Sequence, residues 1–174
     1  MSDQAPSAAP KTYLPTYDGC YVCGLAHPIG LRVRFHVGEG GKVHADWTPR
    51  NDQTGYGNIV HGGVISALLD ELTGWPICLE NDRICYTGEL SIKFRKPVFA
   101  GQTYLATGYP GVRVEGKRYW DARSEVADLQ GNVLAEATGR YFLVPEAQTR
   151  IFGSQMTFHP GDRVVFKERP PQAE

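Results

Sequence analysis

Two neighbouring carboxylates, Asp70 and Glu71, follow closely on the run His61-Gly62-Gly63. A carboxylate can take a proton from water or attack a carbonyl carbon itself. A glycine pair opening a helix presents unpaired N–H groups at the positive end of its dipole, and with no Cβ in the way an oxyanion can reach them. No Gly-x-Ser-x-Gly elbow is present, which argues against a serine nucleophile. Cys20-x-x-Cys23, with His27 nearby, has the spacing of part of a zinc site. A structural zinc takes four ligands, usually from two such pairs, and Cys78 and Cys85 are too far apart to make a convincing second pair. Small buried thiols are the expected role for all four cysteines, and neither metal nor cofactor is expected.

The element that must position these groups is a helix. Stepping about 100° per residue from His61 gathers Val64, Ile65, Leu68, Leu69, Leu72 and Trp75 on one side, which belongs against a sheet. The opposite side carries Gly63, Ser66, Ala67, Asp70 and Gly74. A solvated face would hold long polar side chains, whereas this small-residue stripe lets another backbone approach, as at a subunit contact. Asp70 lies within the stripe and Glu71 at its edge, so Asp70 is the favoured acid and Glu71 its rival. Gly62 and Asp70 are separated by about 12 Å of helix at 1.5 Å per residue, too far to touch one small reacting group. A single site using both must draw them from two chains, which predicts a site shared across a dimer interface.

The remaining elements follow from alternation and turn residues. Leu31–Val37 and Lys42–Trp47 read as a hairpin around Gly38-Glu39-Gly40-Gly41. After the helix, "YTGELSIKFRKPV", "QTYLATGYPGVRVEG", "KRYWDARSEVADLQ" and "GNVLAEATGRYFLV" read as strands, with turns at Ala100-Gly101, Glu115-Gly116 and Gln130-Gly131. The layout is α+β, one long helix against a roughly six-stranded antiparallel sheet. Residues 1–16 read as a disordered arm, 17–144 as the domain, and 145–174 as a C-terminal extension holding a strand-like "DRVVFK". A chain of 174 residues with net charge −1 has no basic excess to recruit nucleic acid or a membrane surface, and it lacks a spanning or secretory segment. A cytoplasmic location is the default expectation.

"VHGGVISALLDE" resembles the signature of hotdog-fold thioesterases of the phenylacetate-pathway (PaaI-like) branch, in which His-Gly-Gly opens the central helix and an Asp follows nine residues after the His. "TGELSIKFRKPVFAG" is similar to the family's next strand, and "CYVCGLAHPIGLRVRF" to the N-terminal segment of one subgroup. The resemblance spans roughly residues 19–144. It implies a hotdog fold, a helix wrapped by an antiparallel sheet, paired into homodimers and often dimers of dimers, and hydrolysis of an acyl-coenzyme A thioester. By position it gives Asp70 the role of base or nucleophile and the Gly62 N–H that of oxyanion donor, with the Gly63 N–H a second candidate. It places Thr87 where a hydroxyl helps position water, and gives His61 a part in shaping the loop and meeting substrate. Some members carry Asn six residues before the His; Gly55 stands there, with Asn58 the nearest substitute.

An aspartate is charged at neutral pH and a thioester already has a good leaving group, so this chemistry asks for no metal and no separate acid. Coenzyme A phosphates call for cations, for which Arg95 and Lys96 are the candidates. Phe94, Tyr56 and Trp75 could line the acyl tunnel. The alternative reading is a non-catalytic acyl-CoA binding protein of the same fold. It is less favoured because a ligand-sensing regulator would be expected to carry a DNA-binding segment. A hydratase of this fold would need an Asp/His arrangement that is not found.

Overall fold

Antiparallel pairing organises almost all of the chain. The computed structural model describes residues 10–166. The strands are β1 (His36–Val37), β2 (Val43–Trp47), β3 (Thr54–Tyr56), β4 (Ile59–Val60), β5 (Cys85–Phe94), β6 (Tyr104–Gly108), β7 (Val112–Arg113), β8 (Trp120–Ala127) and β9 (Val133–Leu143). The helices are α1 (Gly62–Asn81), between β4 and β5, and α2 (Glu146–Gly153), after β9. The main sheet runs β1-β2-β6-β8-β9-β5 with β7 added beside β8, and β3 and β4 form a separate hairpin. α1 packs against β9, β8, β5, β6 and β2. This is the α+β hotdog layout, a long helix wrapped by its sheet. The three turn glycines read from the sequence after the helix take positive φ: 79° at Gly101, 70° at Gly116 and 84° at Gly131.

The helix face read from periodicity is the buried one: Val64, Ile65, Leu68, Leu69, Leu72 and Trp75 all lie in the core. A buried hydroxyl pair ties α1 to β8, with Thr73 Oγ1 2.6 Å from Ser124 Oγ and both groups bonded to the Leu69 carbonyl. The helix runs past Trp75 and through Pro76. Pro76 has no N–H to give the Leu72 carbonyl four residues back. Gly108 on β6 lies against that carbonyl, so close that a Cβ there would stand 2.1 Å from the Leu72 oxygen. Such an approach admits a Cα–H···O contact only if the residue is glycine. Gly108→Ala is therefore expected to destabilise the fold by about 3 kcal/mol, because neither the helix backbone nor the paired strand can yield cheaply. Thermal unfolding should show a Tm lower by roughly 6 to 12 °C for a chain of this size; an unchanged Tm would mean that the helix is not seated on β6 in this way.

Two segments differ from the expected layout. Leu31–Val37 was expected to be a strand, yet only His36–Val37 pairs as one. Leu31, Val33 and Phe35 keep their alternation and are buried, but their backbones bond to an earlier segment: Leu31 N–H to Tyr21 O, Val33 N–H to Val22 O, and Leu14 N–H to Phe35 O. That same segment corrects the disordered arm expected over 1–16. Residues 1–9 lie outside the described residues, whereas Leu14 is fully buried and Tyr13 bridges His36. Burying one Leu and making these backbone bonds outweighs the low-complexity composition that suggested disorder. The described part of the C-terminal extension, up to Phe166, lies over its own chain. Thr16 and Thr157 exchange backbone hydrogen bonds, Arg34 pairs with Asp162, and Phe166 stacks on Trp75 at 6.1 Å. The described part of "DRVVFK" forms no strand.

His36 and His44 face each other across β1 and β2, ring centroids 5.7 Å apart. Burial holds both below the ordinary histidine range, with Lys11 and Lys42 adding repulsion and Asp46 opposing it. A depressed histidine binds protons more readily in the unfolded chain, so its contribution is present above the unfolded value and is lost as pH falls through the folded one. Denaturation midpoints are expected to drop between about pH 7 and pH 5, and the slope should flatten in a His36→Gln/His44→Gln double variant. An equal slope in that variant would assign the acid sensitivity elsewhere.

Candidate active site

The start of α1 is closed by His61, whose Nδ1 accepts the Gly63 N–H at 2.9 Å. This changes the expected donor pair. The Gly63 N–H is already engaged, while the Gly62 N–H has no protein partner among the described residues. The helix therefore offers Gly62 as its free donor, at the positive end of the dipole. Tyr56, His61, Gly62, Phe94, Arg95 and Lys96 come together around one recess of about 490 Å³. Asn58 does not join them: it sits exposed at the tip of the β3–β4 hairpin, where its carbonyl accepts the Ala100 N–H. Gly55 is the residue beside the His61 ring, its Cβ direction 3.4 Å from Cδ2. Arg95 is partly neutralised by an ion pair with Glu136 at 2.6 Å, leaving Lys96 as the less committed of the two cations.

Two turns further along α1, Asp70 opens into a second recess of about 290 Å³. Thr87 Oγ1 donates to Asp70 Oδ1 at 2.7 Å, and the Tyr141 hydroxyl donates to the same oxygen at 3.0 Å. Burial, reinforced by the charge of Asp70, pushes the Tyr141 hydroxyl up, so it stays protonated and remains a donor. Oδ2 carries no hydrogen bond among the described residues. One carboxylate oxygen is thus fixed by two hydroxyls and the other is left for a reacting partner.

Thr87 reaches Asp70 because β5 is irregular. Thr87 pairs with Tyr141 and Glu89 with Arg140, so Gly88 is an extra residue on β5, a bulge. Strict alternation would put Thr87 and Glu89 on one face. The bulge instead turns Thr87 inward with Tyr141, and Glu89 outward to its ion pair with Arg140. A Cβ on Gly88 would lie 2.3 Å from the Phe142 ring, so any other residue at the bulge would have to displace that ring.

Glu71, the rival acid, turns away from this pair. Its Oε2 lies 3.0 Å from Cys20 Sγ and its Oε1 3.4 Å from Trp75 Nε1. Burial pushes its carboxyl well up, and the neighbouring Cys20 adds to the effect. Cys20 in turn is held at about 5 by the Cys23 thiol, against the opposing effect of burial, with backbone N–H groups and Glu71 also helping. Gly74, read from the sequence as part of the open stripe, is buried under Cys85 and Tyr141. Ser66, Ala67 and Asp70 stay partly exposed.

Sequence reasoning missed Tyr141, and it missed Met156 and Phe166 of the extension, which line the Asp70 recess. Tyr141 belongs to the inward set of β9, a weak signal that becomes specific only when the strand register is known. Met156 and Phe166 carry no motif at all.

Comparison with known proteins places these observations. Residues 57–118 match the family model described as the thioesterase superfamily. No curated protein matches the chain. Among solved structures, a thioesterase superfamily protein is similar at 22% identity and a TM-score of 0.64, covering 80% of this chain and 73% of its own. The E. coli PaaI protein from the phenylacetic acid degradation operon is similar at 23% identity and a TM-score of 0.58, over 66% of this chain and 81% of that one. A Streptococcus mutans UA159 protein solved bound to acetyl-CoA is similar at 18% identity and a TM-score of 0.54, over 82% and 95%. At these identities the structural likenesses establish the fold. Among the described residues no helix is long and apolar enough to cross a membrane.

Proposed function

We propose that this chain, which has the hotdog fold and whose residues 57–118 match the thioesterase superfamily model, is a member of that superfamily and hydrolyses an acyl-coenzyme A thioester to free acid and CoA, in a site shared by two protomers. The observation that carries this reading is Asp70, a carboxylate with one oxygen fixed by Thr87 and Tyr141 at the mouth of a recess. Asp70 Oδ2 takes a proton from water as the water oxygen bonds to the thioester carbon. The Gly62 N–H of the other protomer stabilises the charge on the carbonyl oxygen. The tetrahedral intermediate then expels the CoA thiolate, which recovers the proton from Asp70. Direct attack by Asp70, giving an anhydride that water later opens, uses the same groups. Gly63 orients His61, which shapes the Gly62 recess, and Arg95 and Lys96 meet CoA phosphates there, with Lys96 the stronger attraction. Tyr56 and Phe94, both exposed in the single chain, contact the ligand.

Two features support self-association. β5 ends the sheet order and exposes Tyr86 and Phe94, an edge that a second copy would cover. Ser66 and Ala67 beside Asp70 leave room for a neighbouring helix. A homodimer, with a dimer of dimers as the further step, follows from the reading. The four free thiols favour a reducing compartment, hence the cytoplasm. Within the superfamily the helix signature favours the PaaI-like branch.

Thiol release from short, long, branched and aromatic acyl-CoAs tests the activity and names the acyl class. Absence of turnover across the panel, together with tight acyl-CoA binding, would replace it with the non-catalytic binding protein.

A further inference from the structure

The Cys-x-x-Cys pair finds a third partner that spacing alone does not reveal. The sulfurs of Cys20 and Cys23 and a carboxylate oxygen of Glu71 all lie within 4.8 Å of one another, Cys23 being buried and the other two part-buried. Cys20 Sγ accepts the backbone N–H groups of Val22 and Cys23, each at 3.2 Å. Backbone N–H groups aimed at a sulfur in this way stabilise the negative charge of a thiolate that holds a metal. The turn is closed by Gly24, whose N–H bonds to Cys20 O at 3.0 Å and whose Cβ would stand 2.5 Å from that same oxygen. Charge points the same way. Glu71 is a recessed carboxylate beside two sulfurs, and among the described residues no Lys, Arg or His forms an ion pair with it. A sunken carboxylate without a cation is costly, and a metal is one way of supplying the missing positive charge.

The geometry points to a binding site for a thiophilic divalent cation of the zinc class, held by Cys20, Cys23 and Glu71, with water as the fourth ligand. Two sulfurs and one carboxylate oxygen are a donor set that Zn²⁺ accepts in a tetrahedron, with bonds of about 2.3 Å to sulfur and about 2.0–2.2 Å to oxygen. Ligand atoms already within 4.8 Å of each other need only small rotations to reach it. Hard cations such as Mg²⁺ are disfavoured by the thiolates. The cation fastens the segment around residues 20–24 to α1 beside Asp70. Glu71 and Trp75 also line the Asp70 recess, so metal loss would loosen one wall of it. The zinc reading of Cys20-x-x-Cys23 fell short in the sequence for want of a second cysteine pair; the helix supplies the third ligand in its place.

The test is metal titration of the full chain, purified with reductant, stripped by chelator and then loaded with Co²⁺ as a spectroscopic probe. Expected are a thiolate-to-cobalt charge-transfer band and the intense visible bands of a tetrahedral ion, saturating at one cobalt per chain and bleached by Zn²⁺. Cys23→Ser and Glu71→Gln should each weaken Zn²⁺ binding by more than about a hundredfold, since even outer-shell losses cost about 10- to 100-fold. Cys78→Ser should leave the cobalt spectrum intact. Glu71→Gln keeps the side-chain volume and should fold as wild type, so its loss of metal is not a loss of structure. The proposal is overturned by the absence of a charge-transfer band in reduced wild-type protein, by the weak bands of an octahedral ion, or by undiminished binding in either ligand variant.

Discussion

Asp70→Asn is expected to lower kcat for thioester hydrolysis by about 10²–10⁴-fold, the usual contribution of a positioned general base. Asparagine has the same shape and can still accept the Thr87 and Tyr141 hydroxyls through its amide oxygen, so fold and substrate binding should survive. What it cannot do is take a proton from water or attack a carbonyl. The loss should therefore appear in kcat with KM little changed, the pattern of an interaction made only in the transition state. Tyr141→Phe and Thr87→Val each leave the carboxylate and remove one donor, and their losses should be smaller, about ten- to a hundredfold. Steady-state kinetics on one good acyl-CoA, with near-ultraviolet circular dichroism as a check of folding, gives all three. Retention of most activity by Asp70→Asn would remove this carboxylate from the chemistry.

The second large effect concerns the donor. Gly62 is the first residue of α1, where proline is well tolerated because its missing N–H has no helical partner. The preceding residue, His61, has φ −61° and ψ 134°, the conformation a residue before proline prefers. Gly62→Pro should thus delete the free N–H while leaving the helix in place. Removing one oxyanion donor costs about 10²–10³ in kcat. Because Gly62 and Asp70 stand two turns apart on one helix, the two lesions fall in different halves of the shared site. Two inactive proteins, Gly62→Pro and Asp70→Asn, refolded together should regain activity, for each mixed dimer contains one intact pairing of donor and base. Mixtures no more active than their parents, with dimer exchange verified by mass, would confine the chemistry to single chains.

The helix was the legible part of this molecule. Its buried face follows from a 3.6-residue period that local sequence states directly, and Asp70 stands out because Ser66 and Ala67 around it are small. The periodicity reading ended its buried face at Trp75 and made no use of Pro76. It could not foresee that the Leu72 carbonyl freed by Pro76 would be met by Gly108 across a sheet. Tyr141 escaped notice for a similar reason. Its partnership with Asp70 depends on the register of β5 against β9 and on the one-residue bulge at Gly88, and neither is a local property. Glu71 shows the limit from the other side. On a helical wheel it differs from Asp70 by about a quarter-turn, yet that rotation delivers it to the cysteine turn instead of to Thr87. Gly63 looked like a second donor until the His61 ring claimed its N–H.

The strand order also sets a timetable. β5 pairs with β9, the last strand made, and Tyr141 follows Asp70 by 71 residues. At a synthesis rate of about 5–20 residues per second, the carboxylate waits on the order of 4 to 14 s for its second hydroxyl. During that interval β5 has both edges open, a nascent strand available to any neighbouring chain. Completion of β9, closure of the sheet and delivery of the second hydroxyl to the acid are then one event. A polypeptide cut short before β9 should be an aggregating fragment and not a weak enzyme.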